Sequence, residues 1–418
     1  MVLFAFLHRL FAVASLVAFG TAAWLLWSWF DAEHVANTLG LADPSNAPLW
    51  WGLPLMAISL LGRFPVLFLL GRGETTAPAR RAGAMEVVGA DGAVLQVEME
   101  GAAKGPILLF THGWSLSARI WAEARADLGG RFGLVFWDLP GLGRSGRPAA
   151  GYSVEGFAED LHAVIDALPE DRPLILVGHS IGGMIVQSFC ARHPELMTRR
   201  VAAIVLANTT HANPLETMAL SGLFRPLQPV IKAALWLDTV LSPLIWVMNW
   251  QAWLSGAAHV AARIVGFGGA PTREQLDRTT RLVTKNSPSV QASGNLAMLH
   301  WSATGRLGTI DVPALVIVGG RDLITREDAG EAIAAVLPQG RLVRLDQAGH
   351  MGPVEAAAVY NEQIGDFADF VGLLRSRAPG GRRSFLSPDA DLAPPARPAD
   401  PFDEDVPVIG PVQTLRPI

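Results

Sequence analysis

Two long apolar runs open the chain. Phe11 to Phe30 carries about 20 residues without a charge, enough for a helix across a bilayer's hydrocarbon core. Trp24, Trp27 and Trp29 gather at one end of it, as aromatic residues do at a membrane interface. Leu49 to Leu70 starts on Trp50-Trp51 and holds a single charge, Arg63. At mid-bilayer that arginine would cost about 2.5–3.5 kcal/mol, less where it snorkels to the interface. The pattern predicts helices over about 11–30 and 49–70, a transmembrane hairpin that anchors residues 1–72. The first run outlasts the apolar part of a signal peptide and is followed by the second, so an anchor is expected instead of a cleaved leader. Arg9 precedes the first run, Arg72, Arg80 and Arg81 follow the second, and residues 31–48 between them have no Lys or Arg. The positive-inside rule then places the N-terminus and the main domain in the cytoplasm, at a plasma or bacterial inner membrane.

The pattern changes after a polar linker, 73–84. Met85–Val88 and Val94–Met99 flank Asp91-Gly92, a hairpin signal. Short apolar runs follow at Ile107–Thr111, Leu134–Trp137, Leu174–Val177, Val201–Ala207, Ala314–Val318 and Arg341–Leu345. Such runs read as buried strands. Helix-compatible stretches lie between and after them, among them Val154–Leu168 and Pro353–Leu374. Strands alternating with helices predict an α/β fold with a mostly parallel, doubly wound sheet over residues 85–375. About 100 residues separate the Val201 and Ala314 strands, too many for a bare loop. A helical insertion over about 208–310 is expected there. It is rich in Leu and Trp (Leu235-Trp236-Leu237, Leu244 to Met248, Trp250, Trp253), which suits a lid over an apolar acyl pocket or against a bilayer. Met218, Phe224 and Met298 are further candidate wall residues, while Asp238 and several prolines argue against a third span. From 376 to 418, Pro, Ala, Asp and Arg dominate, the composition of a disordered tail.

Composition agrees with the anchor. Half of the 418 residues are hydrophobic and only 17% are charged, more apolar than an ordinary soluble enzyme. A net charge of −5 leaves no general footprint for nucleic acid. The lone Cys190 excludes an intrachain disulfide and a cysteine metal cluster. Neither a metal nor a cofactor is expected.

The chemistry centres on Gly178-His179-Ser180-Ile181-Gly182-Gly183. A buried strand, then Gly-x-Ser-x-Gly, then a helix-compatible segment is the order of a nucleophile elbow. A serine hydroxyl is a poor nucleophile and needs a base within hydrogen-bonding reach. Histidine titrates near neutral pH, and a carboxylate must hold its tautomer. Ser180, Asp322 and His350 each follow a predicted strand, and in an open α/β sheet those strand ends share one edge. Asp346 is the nearest rival acid. His179 is expected to pack in the elbow, and His162 and His193 to sit on helix surfaces.

Taken together, four motifs in order make residues 85–375 resemble the alpha/beta-hydrolase superfamily. They are His112-Gly113, Asp138-x-x-Gly-x-Gly-x-Ser, the elbow, and Asp322 followed by His350. The resemblance implies a Ser180, Asp322, His350 triad, a helical lid, a turn aspartate at Asp138 and an oxyanion loop ordered by His112. Ile181 would supply one backbone N–H to the oxyanion and Trp114, by the resemblance, the second. Serine at the elbow departs from the aspartate of this fold's epoxide hydrolases and dehalogenases and from the cysteine of dienelactone hydrolases. With the apolar runs and the lid, the reading is a membrane-anchored serine hydrolase whose partners are a small-molecule or lipid ester and the bilayer. Acyl transfer and cofactor-free peroxidase or perhydrolase chemistry on the same triad stay open, as does a non-catalytic ligand-binding protein.

Overall fold

The computed structural model describes residues 2–74, 84–377 and 412–415. Among the described residues nine strands form one sheet: β1 Ala84–Val88, β2 Val94–Gly101, β3 Ile107–Thr111, β4 Gly133–Trp137, β5 Leu174–His179, β6 Val201–Ala207, β7 Ala314–Gly319, β8 Gly340–Leu345 and β9 Val412–Leu415. Their order across the sheet is β1-β2-β4-β3-β5-β6-β7-β8-β9. The β1–β2 and β2–β4 pairs are antiparallel, and every other pair is parallel. All residues of β3 to β7 are buried. This is why their sequences run apolar without alternation: helices cover both faces of a parallel sheet.

The helices are α1 Val2–Leu39, α2 Ala47–Leu61, α3 Arg63–Leu70, α4 Ala122–Leu128, α5 Val154–Asp166, α6 Ile181–Arg192 and α7 Pro194–Arg199. Seven more fill the insertion between β6 and β7: α8 Pro214–Thr217, α9 Ser221–Phe224, α10 Gln228–Val240, α11 Ser242–Ser255, α12 Ala257–Val265, α13 Arg273–Lys285 and α14 Pro288–Met298. The last three are α15 Glu327–Val336, α16 Gly352–Glu355 and α17 Ala357–Arg377. The expected final helix from Pro353 is thus a short turn followed by a longer helix. Most of the linker and of the expected disordered tail lies outside the described residues. Four tail residues, Val412–Leu415, are placed on the sheet edge as β9, parallel to β8.

The N-terminal runs depart from expectation in two ways. First, α1 covers Val2–Leu39 instead of 11–30, and among the described residues it is the one unbroken helix long and apolar enough to cross a membrane. Its first turns rest on the lid. Ala12 is fully buried in a cluster with Met248, Ala252 and Ala258. Ser15 Oγ lies 2.7 Å from Ser255 Oγ, and Arg9 pairs with Asp238 at 2.8 Å. Beyond this contact Val17, Trp24, Trp27 and Phe30 are exposed, while α2 packs alongside through Gly52 on Leu26 and a Trp29 Nε1–H bond to Asn46 at 2.9 Å.

Second, the run 49–70 is not one helix. It breaks at Gly62 into α2 and α3, bent by 63°. A side chain at Gly62 would collide with the Ser255 carbonyl of the lid, and Pro65 has no N–H to offer the Leu61 carbonyl. Arg63, the expected liability of this run, lies over the Trp253 ring at 3.9 Å and the Phe64 ring at 4.7 Å. Cation–π contacts of this kind contribute about 0.5–2 kcal/mol.

A carboxyl on α5 makes the fold's stability depend on pH. Asp160 is 3% exposed and accepts the Ala90 amide at 2.9 Å. Burial pushes its carboxyl up to about 6; the Ala90 bond opposes the rise and the nearby Asp91 and Glu159 charges reinforce it. Between its unfolded value and about 6 the folded chain holds a proton that the unfolded chain has released, so stability falls as pH rises through that window. Asp160→Asn should remove this loss, by about 1–3 kcal/mol. Thermal unfolding in detergent should show the variant gaining over wild type between pH 4 and pH 7.5. An equal gap at both pH values would refute the account.

Candidate active site

The elbow is built by close approach. A β-carbon at Gly178 would strike the Gly182 carbonyl, and one at Gly182 would strike the Thr111 carbonyl of β3. Two glycines therefore let the chain turn sharply from β5 into α6. Ser180 occupies that turn with φ 57° and ψ −122°, a strained conformation for a residue with a side chain. Its amide donates to the Ala207 carbonyl at 3.0 Å, and its carbonyl accepts Thr209 Oγ at 2.6 Å, so the strain is held from both sides.

Ser180, His350 and Asp322 lie side by side. His350 Nε2 lies 3.0 Å from Ser180 Oγ, and His350 Nδ1 lies 2.9 Å from Asp322 Oδ2. The three residues are 3%, 2% and 4% exposed. A carboxylate can only accept, so the proton of the neutral imidazole belongs on Nδ1 and Nε2 is left to accept from the serine. Burial alone would raise the Asp322 carboxyl; the facing His350, its hydrogen bond, the Thr325 amide and Asn208 together outweigh that and hold it below the usual range.

Three residues of this network were not anticipated. Asn208, just past β6 and at φ 47°, donates to Asp322 Oδ2 at 3.0 Å and to the Gly349 carbonyl at 3.1 Å. Tyr360 on α17 donates to Asn208 Oδ1 at 2.5 Å. Thr325 donates its hydroxyl to Asp322 Oδ2 at 2.7 Å, while the Ile324 and Thr325 amides donate to Oδ1. A signal for Asn208 was present: polar Asn208-Thr209-Thr210 follows an apolar strand at the ligand-binding edge. Nothing in the sequence pointed to Tyr360, which arrives from 152 positions away.

The remaining candidates fall into supporting places. His179 Nε2 bonds to the His350 carbonyl at 2.8 Å, and burial, then the charge of His350, drives its pKa down to about 3. It is a packing residue and no base at neutral pH. His112 Nε2 accepts the Leu139 amide at 3.0 Å and its Nδ1 faces the Gly113 carbonyl at 2.8 Å, tying the loop after β3 to the loop after β4. Asp138 accepts the Ala118 and Arg144 amides. Asp346 is turned toward Arg344 at 3.0 Å. Cys190 is buried and unbonded to another cysteine. His162 and His193 lie partly exposed near Glu159, which is itself held by Arg192.

The Trp114 side chain is buried and donates to the Gln291 carbonyl at 3.0 Å. Its backbone amide and that of Ile181 have no acceptor among the described residues. A cavity reaches His350, with Trp114, Leu116, Leu235, Phe267, Ile324 and Met351 among its walls. Met218, Phe224 and Met298, the further candidates for this wall, pack into the lid and sheet cores.

A sequence profile described as the alpha/beta hydrolase fold matches residues 106–357. The chain belongs to this family. Among curated relatives, the probable oxidoreductase EphD of Mycobacterium tuberculosis is 29% identical over 297 residues, which cover 67% of this chain and 48% of that protein. This hydrolase-fold chain thus spans about half the length of the first relatives it matches. The pimeloyl-[acyl-carrier protein] methyl ester esterase of Chromobacterium violaceum is 28% identical over 256 residues, covering 60% of this chain and 90% of that one. Among solved structures, a thermophilic esterase from Thermogutta terrifontis superposes with a TM-score of 0.54 at 21% identity, over 70% of this chain and all of that one. That likeness is one of fold.

Proposed function

We propose that the protein is a membrane-anchored serine hydrolase that cleaves apolar, lipid-like carboxylic esters through an acyl-Ser180 intermediate. The observation that carries this is the buried Ser180–His350–Asp322 relay, whose His350 lines a largely apolar cavity. His350 Nε2 takes the Ser180 proton as Oγ attacks the ester carbonyl. Asp322 stabilises the imidazolium, which then protonates the leaving alcohol. Water, activated by the same nitrogen, releases the acid. The unpaired Trp114 and Ile181 amides are assigned to the developing oxyanion, where losing a donor costs about 2.7–4 kcal/mol. The similarity to an enzyme named for methyl ester cleavage supports the ester assignment.

Anchoring is supported by the length and apolarity of α1 and by the surface beside it. On the lid, Leu220, Leu223, Val230, Trp236, Val240, Leu244 and Val247 are all exposed. So many exposed apolar side chains on one insertion favour a contact face, here for a bilayer. Because the first turns of α1 rest on the lid, the N-terminus would share the side of the catalytic domain, and Arg9 and Arg72 favour the cytoplasm for both.

A chain-length series of p-nitrophenyl esters and monoacylglycerols, on full-length protein in detergent, tests the reading. Turnover should rise from acetyl toward medium and long acyl chains. A preference for acetyl esters would remove the lipid assignment and leave the hydrolase. Failure of the folded protein to react with a fluorophosphonate would favour a non-catalytic binding protein.

A further inference from the structure

We propose that the first turns of α1 complete the substrate cavity, and that His8 and Arg9 join Asn249, Thr279 and Asn295 in a polar subsite for a neutral, hydroxyl-bearing part of the ester. This rests on the hydrolase reading above and narrows its substrate. Phe4, Ala5, His8 and Arg9 line the same cavity that reaches His350. They come from the membrane-type helix, a segment that lies outside residues 106–357 matched to the hydrolase fold.

The second observation is a set of unmet polar atoms in that wall. His8 Nε2, Asn249 Oδ1, Thr279 Oγ and Asn295 Oδ1 are buried without a hydrogen-bond partner, and so is Arg9 Nη1, the nitrogen not engaged by Asp238. The four residues other than Arg9 are at least nine-tenths buried, at 6%, 2%, 5% and 5% exposure. A buried polar atom left unpaired costs about 1–3 kcal/mol. One such atom is unremarkable in a folded protein; five on residues that line one cavity beside His350 point to a ligand that meets them once it settles against this wall.

The types of these atoms select the ligand. The asparagine oxygens accept, Arg9 Nη1 donates, and His8 and Thr279 do either. A hydroxyl donates one hydrogen and accepts up to two, so two hydroxyls can meet both asparagine oxygens and still accept from Arg9, whereas a carboxylate would leave the asparagine oxygens facing another acceptor. Apart from the histidines, the charged residues of the wall are Arg9 and Asp238, and they neutralise each other at 2.8 Å. A full charge on the ligand would find no counter-charge. The hydroxyl can ride on the leaving alcohol, as in a polyol monoester, or on the acyl chain.

Two matched pairs separate these sources in the full-length, detergent-solubilised protein: a 1-monoacylglycerol against the methyl ester of the same acid, and a hydroxylated fatty acid methyl ester against its unsubstituted counterpart. We expect kcat/KM to favour the hydroxylated member of one pair by about 10-fold or more, and that pair identifies the carrier. Asn295→Leu and Thr279→Val should each cut the ratio severalfold, as should His8→Phe if α1 is part of the wall. Fluorophosphonate labelling of Ser180 in each variant reports an intact triad. Ratios near one for both pairs in wild type, with esters still cleaved, would mean that the polar atoms bind only water and would overturn the subsite alone. A ratio unchanged in labelled His8→Phe would overturn the role of α1. If wild type cleaves no ester of either pair, the hydrolase reading fails and this proposal with it.

Discussion

Ser180→Ala should lower kcat/KM on a p-nitrophenyl ester by about 10⁴-fold or more and abolish fluorophosphonate labelling. The size follows from the geometry. His350 Nε2 lies 3.0 Å from Ser180 Oγ, close enough to take its proton as the oxygen attacks, and alanine leaves no nucleophile for the histidine to activate. Residual turnover in the variant would come from the oxyanion donors and binding alone. The fold should survive, because the neighbouring bonds of residue 180 use its backbone: the amide to Ala207 and the carbonyl from Thr209. The replacement also keeps a side chain no larger than the native one. Unchanged thermal unfolding beside lost labelling is the expected pair of results. Retained activity would show that another residue carries the chemistry.

Asp322→Asn should lower kcat by about 10⁴-fold with little change in KM. The carboxylate accepts from His350 Nδ1, Asn208, Thr325 and two backbone amides. An amide of the same shape must aim either its NH₂ or its oxygen at each of these donors. If the NH₂ faces His350, the ring proton is driven to Nε2 and the imidazole can no longer accept from serine. The imidazolium also loses its facing negative charge. Because burial by itself raises the Asp322 carboxyl and its partners more than reverse this, the wild-type group stays ionised well below neutral pH. A pH profile of the variant should therefore show low kcat throughout, with no recovery toward alkaline pH below 9. A merely structural role for Asp322 would instead appear as loss of folded protein with normal kcat in the fraction that labels.

The elbow shows how much of the site the sequence carries. Gly178 and Gly182 are required by contacts with the Gly182 carbonyl and Thr111, and so small a structural allowance leaves a legible trace as glycine. Asp322 and His350 were legible because the chemistry demands their types and because strand ends meet at one edge. Asn208, Thr325 and Tyr360 left weaker traces, since a polar residue that braces a carboxylate looks like any loop asparagine, threonine or helix tyrosine until the fold closes. Pairing of Tyr360 with Asn208 depends on how α17 lies across β6, a matter of packing between distant segments.

For the N-terminal runs the division is sharper. Apolar length determined that 11–30 and 49–70 are helical, since hydropathy is a local property of the chain, and α1 is long and apolar enough to cross a membrane. The 63° break at Gly62, the seat of Arg63 on Trp253, and the reach of Phe4 to Arg9 into the cavity were decided by the lid. Likewise the sequence determined the Gly178–Gly183 elbow, the candidate nucleophile and its two partners, because backbone sterics and proton chemistry restrict which residues can stand there. Which groups surround the substrate was decided only by tertiary structure: the cavity wall joins residues from α1, the lid helices and the loop after β8, and no local pattern records a contact between segments more than 200 residues apart.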